Sequence, residues 1–374
     1  MNDPVYLDHN ATTTIRPAAI EAVCSALALT GNASSVHRHG RLAGRLIEDA
    51  RDEVAALVGA NPNDVLFTGC GTESNNLALL GVKCENQFVS AIEHPSVLAA
   101  SGTAQSIPVD ADGIIDLQAL ERLLDAVSGR SLVSVMLANN ETGVIQPVSE
   151  VVRIAKKRDA LVHCDAIQGA GKLDVDMTAL GVDLMSLSAH KIGGPQGVGA
   201  LIVKAGVDIE PLIRGGGQER RKRAGTENVA GIAGFGAAAR DALKGLDRMA
   251  SLCVWRDQLI AGVRNWASVQ VFGEAAARLP NTVCITMPGV AAETQLMAFD
   301  LAGISVSSGS ACSSGKVEAS HVLAAMGVSD EDALTAVRVS FGWNSAPGDV
   351  DKFIDAWGAI FAKPGAQTAQ AMAG

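Results

Sequence analysis

The chain has 374 residues, with 30 basic and 40 acidic side chains and a formal net charge of −10. That balance argues against broad contact with nucleic acid or anionic lipid, and no apolar run is long enough to span a bilayer. Aromatic residues make up 3% of a sequence that is 48% hydrophobic, so the core must rest on Ala, Val, Leu and Ile, over a length that suits two domains.

The opening Met1-Asn2-Asp3-Pro4 lacks the basic stretch and apolar run of a secretion signal, so a cytoplasmic protein is expected. Residues 5–13 read as a short extended piece ending in polar side chains. Pro17 opens a helix expected over 17–29. After the polar loop 30–35, a second helix is expected over 40–58. It would carry Arg41, Arg45 and Arg51 on one side and Leu42, Leu46, Ile47, Val54 and Leu57 on the other. Short apolar runs then alternate with helical stretches. Strands are expected at 65–68, 87–90, 132–137, 161–165, 184–187 and 200–203, with helices after the turn 69–74 and over 148–158. The alternation predicts an α/β fold, a mostly parallel sheet covered by helices on both faces. Ligands in such sheets bind beyond the carboxyl ends of strands. A long Ala-rich helix is expected from 231 through 259 and beyond. We assign 17–246 to a large domain, and 1–16 with 247–374 to a smaller α+β domain. The smaller domain has strands expected at 282–286 and 337–341 and helices at 293–302 and 349–361.

Seven cysteines (24, 70, 84, 164, 253, 284 and 312) are odd in number, scattered and without CxxC spacing. This speaks against a disulfide framework and a zinc site. His37 and His39 are spaced i, i+2 with no third ligand nearby, so no metal is expected. In Ser188-Ala189-His190-Lys191-Ile192-Gly193-Gly194-Pro195 a lysine ends an apolar run directly before Gly-Gly-Pro. A partly desolvated amine held on such a turn forms a Schiff base with an aldehyde; the other reading is a surface lysine in an ordinary loop. Ser188 and His190 offer donors to a phosphate. The strand-to-helix turn that holds Gly71 and Thr72 has the free N–H groups and dipole of an anion site, although such turns also join elements where no ligand binds.

Asp165 follows an apolar strand and needs a cation or a set of hydrogen bonds. It either pairs with the ring nitrogen of pyridoxal phosphate (PLP) or caps the next turn. Gln168 is placed to bond the phenolic oxygen of that ring. His94, before Pro95, either stacks on the ring and moves protons or packs in its loop. Cys312 lies in Ser307-Ser308-Gly309-Ser310-Ala311-Cys312-Ser313-Ser314-Gly315, a small, polar setting unlike those of the other six cysteines. It is a candidate nucleophile, or an incidental cysteine in a connector. Arg338 is a charge in an apolar strand that either pairs structurally or clamps a carboxylate. The basic, Gly-rich segment 214–226 reads as a nucleic-acid patch, a phosphate clamp or a subunit contact, with the overall acidity against the first.

Taken together, these motifs resemble the cysteine desulfurases of the class V aminotransferase family, which have the fold-type I PLP architecture. The motifs are Tyr6-Leu7-Asp8-His9-Asn10-Ala11-Thr12-Thr13, Gly31-Asn32-Ala33-Ser34-Ser35-Val36-His37, Thr72-Glu73-Ser74-Asn75-Asn76 and Asn139-Asn140-Glu141-Thr142-Gly143. Asp165-Ala166-Ile167-Gln168-Gly169, Ser188-Ala189-His190-Lys191, Arg223-Ala224-Gly225-Thr226 and the loop around Cys312 complete the set. The resemblance implies that Lys191 carries PLP, Asp165 pairs with its ring nitrogen, Gln168 bonds its phenolic oxygen and His94 stacks on it. Gly71, Thr72, Ser188 and His190 would hold the phosphate, with Thr226 reaching in from the second subunit of a homodimer. Asn32, Asn140 and Arg338 would hold the carboxylate of L-cysteine. Cys312 would take the sulfur as a persulfide, leave alanine, and pass the sulfur to an iron–sulfur scaffold. The alternatives are a selenocysteine lyase, a related transaminase, or a non-catalytic protein that kept the fold. Ala33, where the family has proline, Cys70 beside the phosphate turn and the short C-terminus depart from the family pattern.

Overall fold

Four apolar runs, 65–68, 131–136, 184–188 and 199–203, are buried at every residue, as strands covered on both faces must be. The computed structural model describes residues 4–308 and 319–362. Among these, the strands in chain order are β1 (Val5–Tyr6), β2 (Val65–Thr68), β3 (Asn86–Ser90), β4 (Gln105–Ile107), β5 (Ser131–Met136) and β6 (Leu161–Asp165). They continue with β7 (Leu184–Ser188), β8 (Gly199–Val203), β9 (Thr282–Thr286), β10 (Ile304–Ser305) and β11 (Ala336–Ser340). Seven form one sheet in the order β2-β8-β7-β6-β5-β3-β4. Within it β8 runs antiparallel to both neighbours, β2 and β7, and the remaining pairs are parallel. It follows that β2, β3, β5, β6 and β7 all point the same way and deliver their carboxyl ends to one edge.

Side chains alternate across this sheet. Phe67, Val133, Val135, Met185 and Ile202 pack on one side with Ile47, Val54 and Phe235 from the helices Arg38–Leu57 and Val229–Lys244. Leu66, Leu132, Leu184 and Leu201 pack on the other with Leu77 and Leu79 from the helix Gly71–Gly81. The Ala- and Gly-rich composition of Val229–Lys244 is what permits its close approach: a Cβ on Gly236 would fall 2.7 Å from that of Ala50.

A second core gathers Phe299, Phe341, Phe353 and Trp357 around the antiparallel pair β9–β11. Val5 and Leu7 bury into it, because β1 pairs in parallel with β10. The N-terminal segment therefore runs between the two cores, past the edge where the large sheet ends.

The expected long helix is broken into Val229–Lys244, Leu246–Ala250 and Cys253–Arg264. The first break is at Gly245, a poor helix former. Ala242 packs in the first core, and Met249 and Leu259 in the second, so the chain turns to change partners. The short strand β4 and the helix Leu117–Asp125 were not expected from the sequence. The helix Arg38–Leu57 begins two residues earlier than expected, because Nδ1 of His37 accepts the Gly40 N–H at 3.2 Å as its cap.

Arg51 does not share an exposed face with Arg41 and Arg45. It is buried, with Nη1 and Nη2 donating to the Glu219 carboxylate at 2.9 and 3.0 Å and Nη1 also donating to the Val65 carbonyl at 2.7 Å. Glu219 in turn accepts the N–H of Phe67 at 2.9 Å, so it fastens the basic segment to the edge strand β2. Glu219, Arg220 and Arg221 all hold positive φ, at 42°, 56° and 66°, a conformation unfavourable for side chains with a Cβ; the buried pair offsets it. Arg51→Met leaves the Glu219 carboxylate buried and unpaired. The expected loss is about 3–5 kcal/mol in urea unfolding, and a loss below about 1 kcal/mol, the range of exposed pairs, would contradict the burial of this pair.

Candidate active site

Because five strands end on one edge, the residues just past them converge there. Thr72 follows β2, His94 follows β3, Asn140 follows β5, Asp165 ends β6, and Ser188, His190 and Lys191 end and follow β7. All of them line one cleft of about 590 Å³, a size suited to a cofactor and a small substrate. Gly71, Gln168 and Arg338 line it as well.

Lys191 sits on a 3₁₀ turn closed by the Ile192 N–H on the Ala189 carbonyl. Arg16 fastens the next residues by donating from Nε to the Ile192 carbonyl at 2.8 Å. The Lys191 amine donates to the backbone carbonyls of Asn10 and Ala11, at 2.5 and 2.8 Å. Burial lowers its pKa to about 8, and the nearby Arg338 cation adds to the effect against the pull of Asp8 and Asp165. A fraction of this amine is therefore unprotonated near neutral pH.

Asp165 is buried, which raises its pKa, but two donors hold its charge in place. Oδ1 accepts the Ile167 N–H at 3.0 Å, and Oδ2 accepts from Asn75 Nδ2 at 2.8 Å. Asn75 also donates to Ser96 Oγ at 2.9 Å, and that hydroxyl meets Nδ1 of His94 at 2.8 Å. The His94 ring is thereby oriented against the cleft. Its pKa is lowered by the surrounding protein, with Lys191 and His321 adding to the effect and Asp165 opposing it.

At the other end of the cleft the helix Gly71–Gly81 begins, capped by Cys70, whose Sγ accepts the Glu73 N–H at 3.4 Å. A Cβ on Gly71 would lie 2.4 Å from Ile167 Cδ1 and 3.2 Å from Ser188 Cβ, so a larger residue would have to displace the Ile167 side chain and crowd Ser188. The Ser188 hydroxyl is buried and has no partner within the described protein. His190, whose pKa burial lowers to about 4, bonds Thr12 Oγ1 through Nδ1 at 3.2 Å. Arg338 is paired: Nη2 donates to Asp8 Oδ1 at 2.6 Å and Nη1 to the Asn140 carbonyl at 3.0 Å. Its Nε is buried without a partner among the described residues.

Two expected residues do not enter this cleft. Asn32 is exposed and turns its Oδ1 onto the Ser34 N–H at 2.8 Å. Thr226 is exposed on the segment that Arg223 ties to Glu73 at 2.9 Å. Cys312 lies outside the described residues. Those flanking it, Ser307, Ser308 and Ala319, line the cleft, and Ser307 is bridged to Arg338.

Several cleft residues carried no expectation. Asn10 is buried and takes bonds from both sides of the cleft, and Asn75 supports Asp165. Each lies inside a quoted motif, so the signal was present without a role attached. Glu141 accepts from Ser320 Oγ at 2.5 Å, and burial raises its pKa to about 7. His321 directs Nε2 to the Glu93 carbonyl at 2.9 Å. Neither contact could be read from sequence spacing, since each joins residues far apart in the chain.

A profile of the family described as aminotransferase class-V matches residues 5–353. A cysteine desulfurase of Sinorhizobium fredii is 43% identical over 369 residues, which cover 94% of this chain and 95% of that relative. The X-ray structure of a NifS-like protein from Rickettsia africae matches with a TM-score of 0.89 at 39% identity, covering 96% of this chain and 99% of that one. A structure of SspA in complex with cysteine matches with a TM-score of 0.78 at 29% identity, covering 91% of this chain and all (100%) of that one. A sheet edge that presents a lysine, a buried aspartate and a helix start, together with likeness along nearly the whole chain, places this protein in the class-V aminotransferase family, among its cysteine desulfurases.

Proposed function

We propose that the protein binds PLP on Lys191 and uses it to remove sulfur from L-cysteine, leaving L-alanine and a persulfide on Cys312. The observation that carries this reading is the pairing of a buried amine of lowered pKa, Lys191, with a buried, hydrogen-bonded carboxylate, Asp165, across one cleft. The same cleft supplies an unpartnered hydroxyl at Ser188 and a glycine-closed helix start at Gly71, which suit a phosphate. The cysteine bound in the similar SspA structure supports the substrate.

In this reading Asp165 faces the ring nitrogen, His94 the ring face and Gln168 the phenolic oxygen, while Thr72, Ser188 and His190 hold the phosphate. Bound there, PLP supplies an electron sink for the bonds at the substrate α-carbon. The chain's own residues do the rest. With PLP bound, the Lys191 amine would move a proton at the substrate α-carbon. Arg338 and Asn140 hold the substrate carboxylate, which points the thiol toward the segment carrying Cys312. The Cys312 thiolate attacks the substrate sulfur. The new S–S bond forms as the C–S bond breaks, the electron pair stays with carbon, and a proton delivered to that carbon completes alanine. The persulfide then passes to an acceptor protein, for which an iron–sulfur scaffold is the chemical fit. In the same reading Thr226, exposed in one chain, reaches the phosphate of a second subunit in a homodimer.

Cys312→Ala tests the sulfur step. Sulfide release from L-cysteine should fall to background while PLP stays bound; turnover that survives would point to a transaminase or a lyase without a persulfide.

The Lys191 amine gives a pH prediction. Its protonated form has no lone pair, so an amine of pKa about 8 should bind PLP faster as pH rises, about tenfold per unit below that value and levelling above it. Stopped-flow recombination of the apoprotein with PLP measures this. A rate that climbs without levelling toward pH 10 would show an ordinary, solvated lysine.

A further inference from the structure

Lys172 is a second buried lysine beside the cleft, four residues past Gln168. Its amine donates to Gln168 Oε1 at 2.6 Å and to Asn10 Oδ1 at 2.7 Å. Both acceptors are neutral amide oxygens. Burial pushes its pKa well down, and the charges acting on it, Lys191 and Arg338, are cations that push it further.

This arrangement decides how Gln168 is turned. The two ends of a glutamine amide are nearly the same shape but opposite in hydrogen bonding. The end facing Lys172 meets a donor and must be oxygen. The other end meets the Asn10 carbonyl at 2.9 Å and must be nitrogen. That nitrogen has a second hydrogen, and Gln168 lines the cleft. A flipped amide would set its N–H₂ against Lys172 and its oxygen against a carbonyl, losing both bonds.

We propose that Lys172 is a positioning residue that locks the Gln168 amide with its N–H toward the cleft, so that this point of the wall accepts an anionic oxygen. On the PLP reading above, on which this inference rests, that oxygen is the phenolic oxygen of the cofactor. A donor there stabilises the negative oxygen and so keeps the lysine-bound cofactor from gaining its proton until the pH is lower. Lys172 makes no contact with the reacting atoms; it acts through Gln168.

The test uses the holoenzyme and reads the pH midpoint of the cofactor's visible absorption band. Lys172→Met removes both donors at similar length. The midpoint should rise by up to about one pH unit, the size of one hydrogen bond. Gln168→Leu should give the same rise, and the double variant no further rise. Lys172→Gln, which keeps an N–H donor on a neutral chain, should restore part of the shift, and it replaces Lys172→Met in the comparison should that variant not fold. An unchanged midpoint in Lys172→Met, or shifts of the two single variants that add in the double, would overturn the inference. If the unmodified protein showed no visible band with PLP, the cofactor reading itself would fail, and this inference with it. Melting of the apoproteins separates these outcomes from a loss of fold.

Discussion

The amine of Lys191 is held by two backbone carbonyls, from Asn10 and Ala11, and most of the site follows from that constraint. Carbonyl oxygens satisfy the N–H groups without the full charge of a carboxylate, so burial wins and the pKa falls. The carbonyls come from the N-terminal segment, which is drawn past the sheet edge because β1 pairs with β10 in the second core. The large sheet supplies the lysine and the second core supplies its holder. Asn10 joins the two further. Its N–H reaches Ser340 Oγ at 2.9 Å, and its Nδ2 reaches Thr282 Oγ1 at 2.9 Å and the Asn140 carbonyl at 3.1 Å.

Two carboxylates have different partners. Asp165 is buried and is kept as an acceptor by Asn75 and the Ile167 N–H, whereas the more exposed Asp8 is paired with Arg338. The pairing leaves Arg338 fixed in direction, with Nε unsatisfied among the described residues. A bidentate cation held this way is ready for a carboxylate at little further cost in side-chain entropy. Within the large sheet the one antiparallel strand among the described residues, β8, matters for the same site. It lets β2 run with β7, which brings the Gly71 helix start to the same edge as Lys191.

Much of this was legible in the sequence. The strands were readable because their burial on both faces makes continuous apolar runs, and the sheet rule then placed Thr72, His94, Asp165 and Lys191 together. What escaped depended on long-range geometry. Arg51 fits an exposed helical face by its neighbours in sequence and is buried only because Glu219, 168 residues away, meets it. The long Ala-rich stretch has no proline to announce its breaks, so the change of packing partner at Gly245 was hidden. Lys172 carried no expectation from the sequence, and only the side-chain oxygens of Asn10 and Gln168 account for its place inside. Asn32 and Thr226 show the opposite limit, since one chain leaves both exposed.

The central claim is that Lys191, and not its buried neighbour Lys172, carries the cofactor. Borohydride reduction of the PLP-loaded protein followed by peptide mass mapping tests it directly, because reduction fixes the cofactor to whichever amine holds it. The added phosphopyridoxyl mass should appear on the peptide containing Lys191. Its appearance on the peptide containing Lys172, or on neither, would contradict the account.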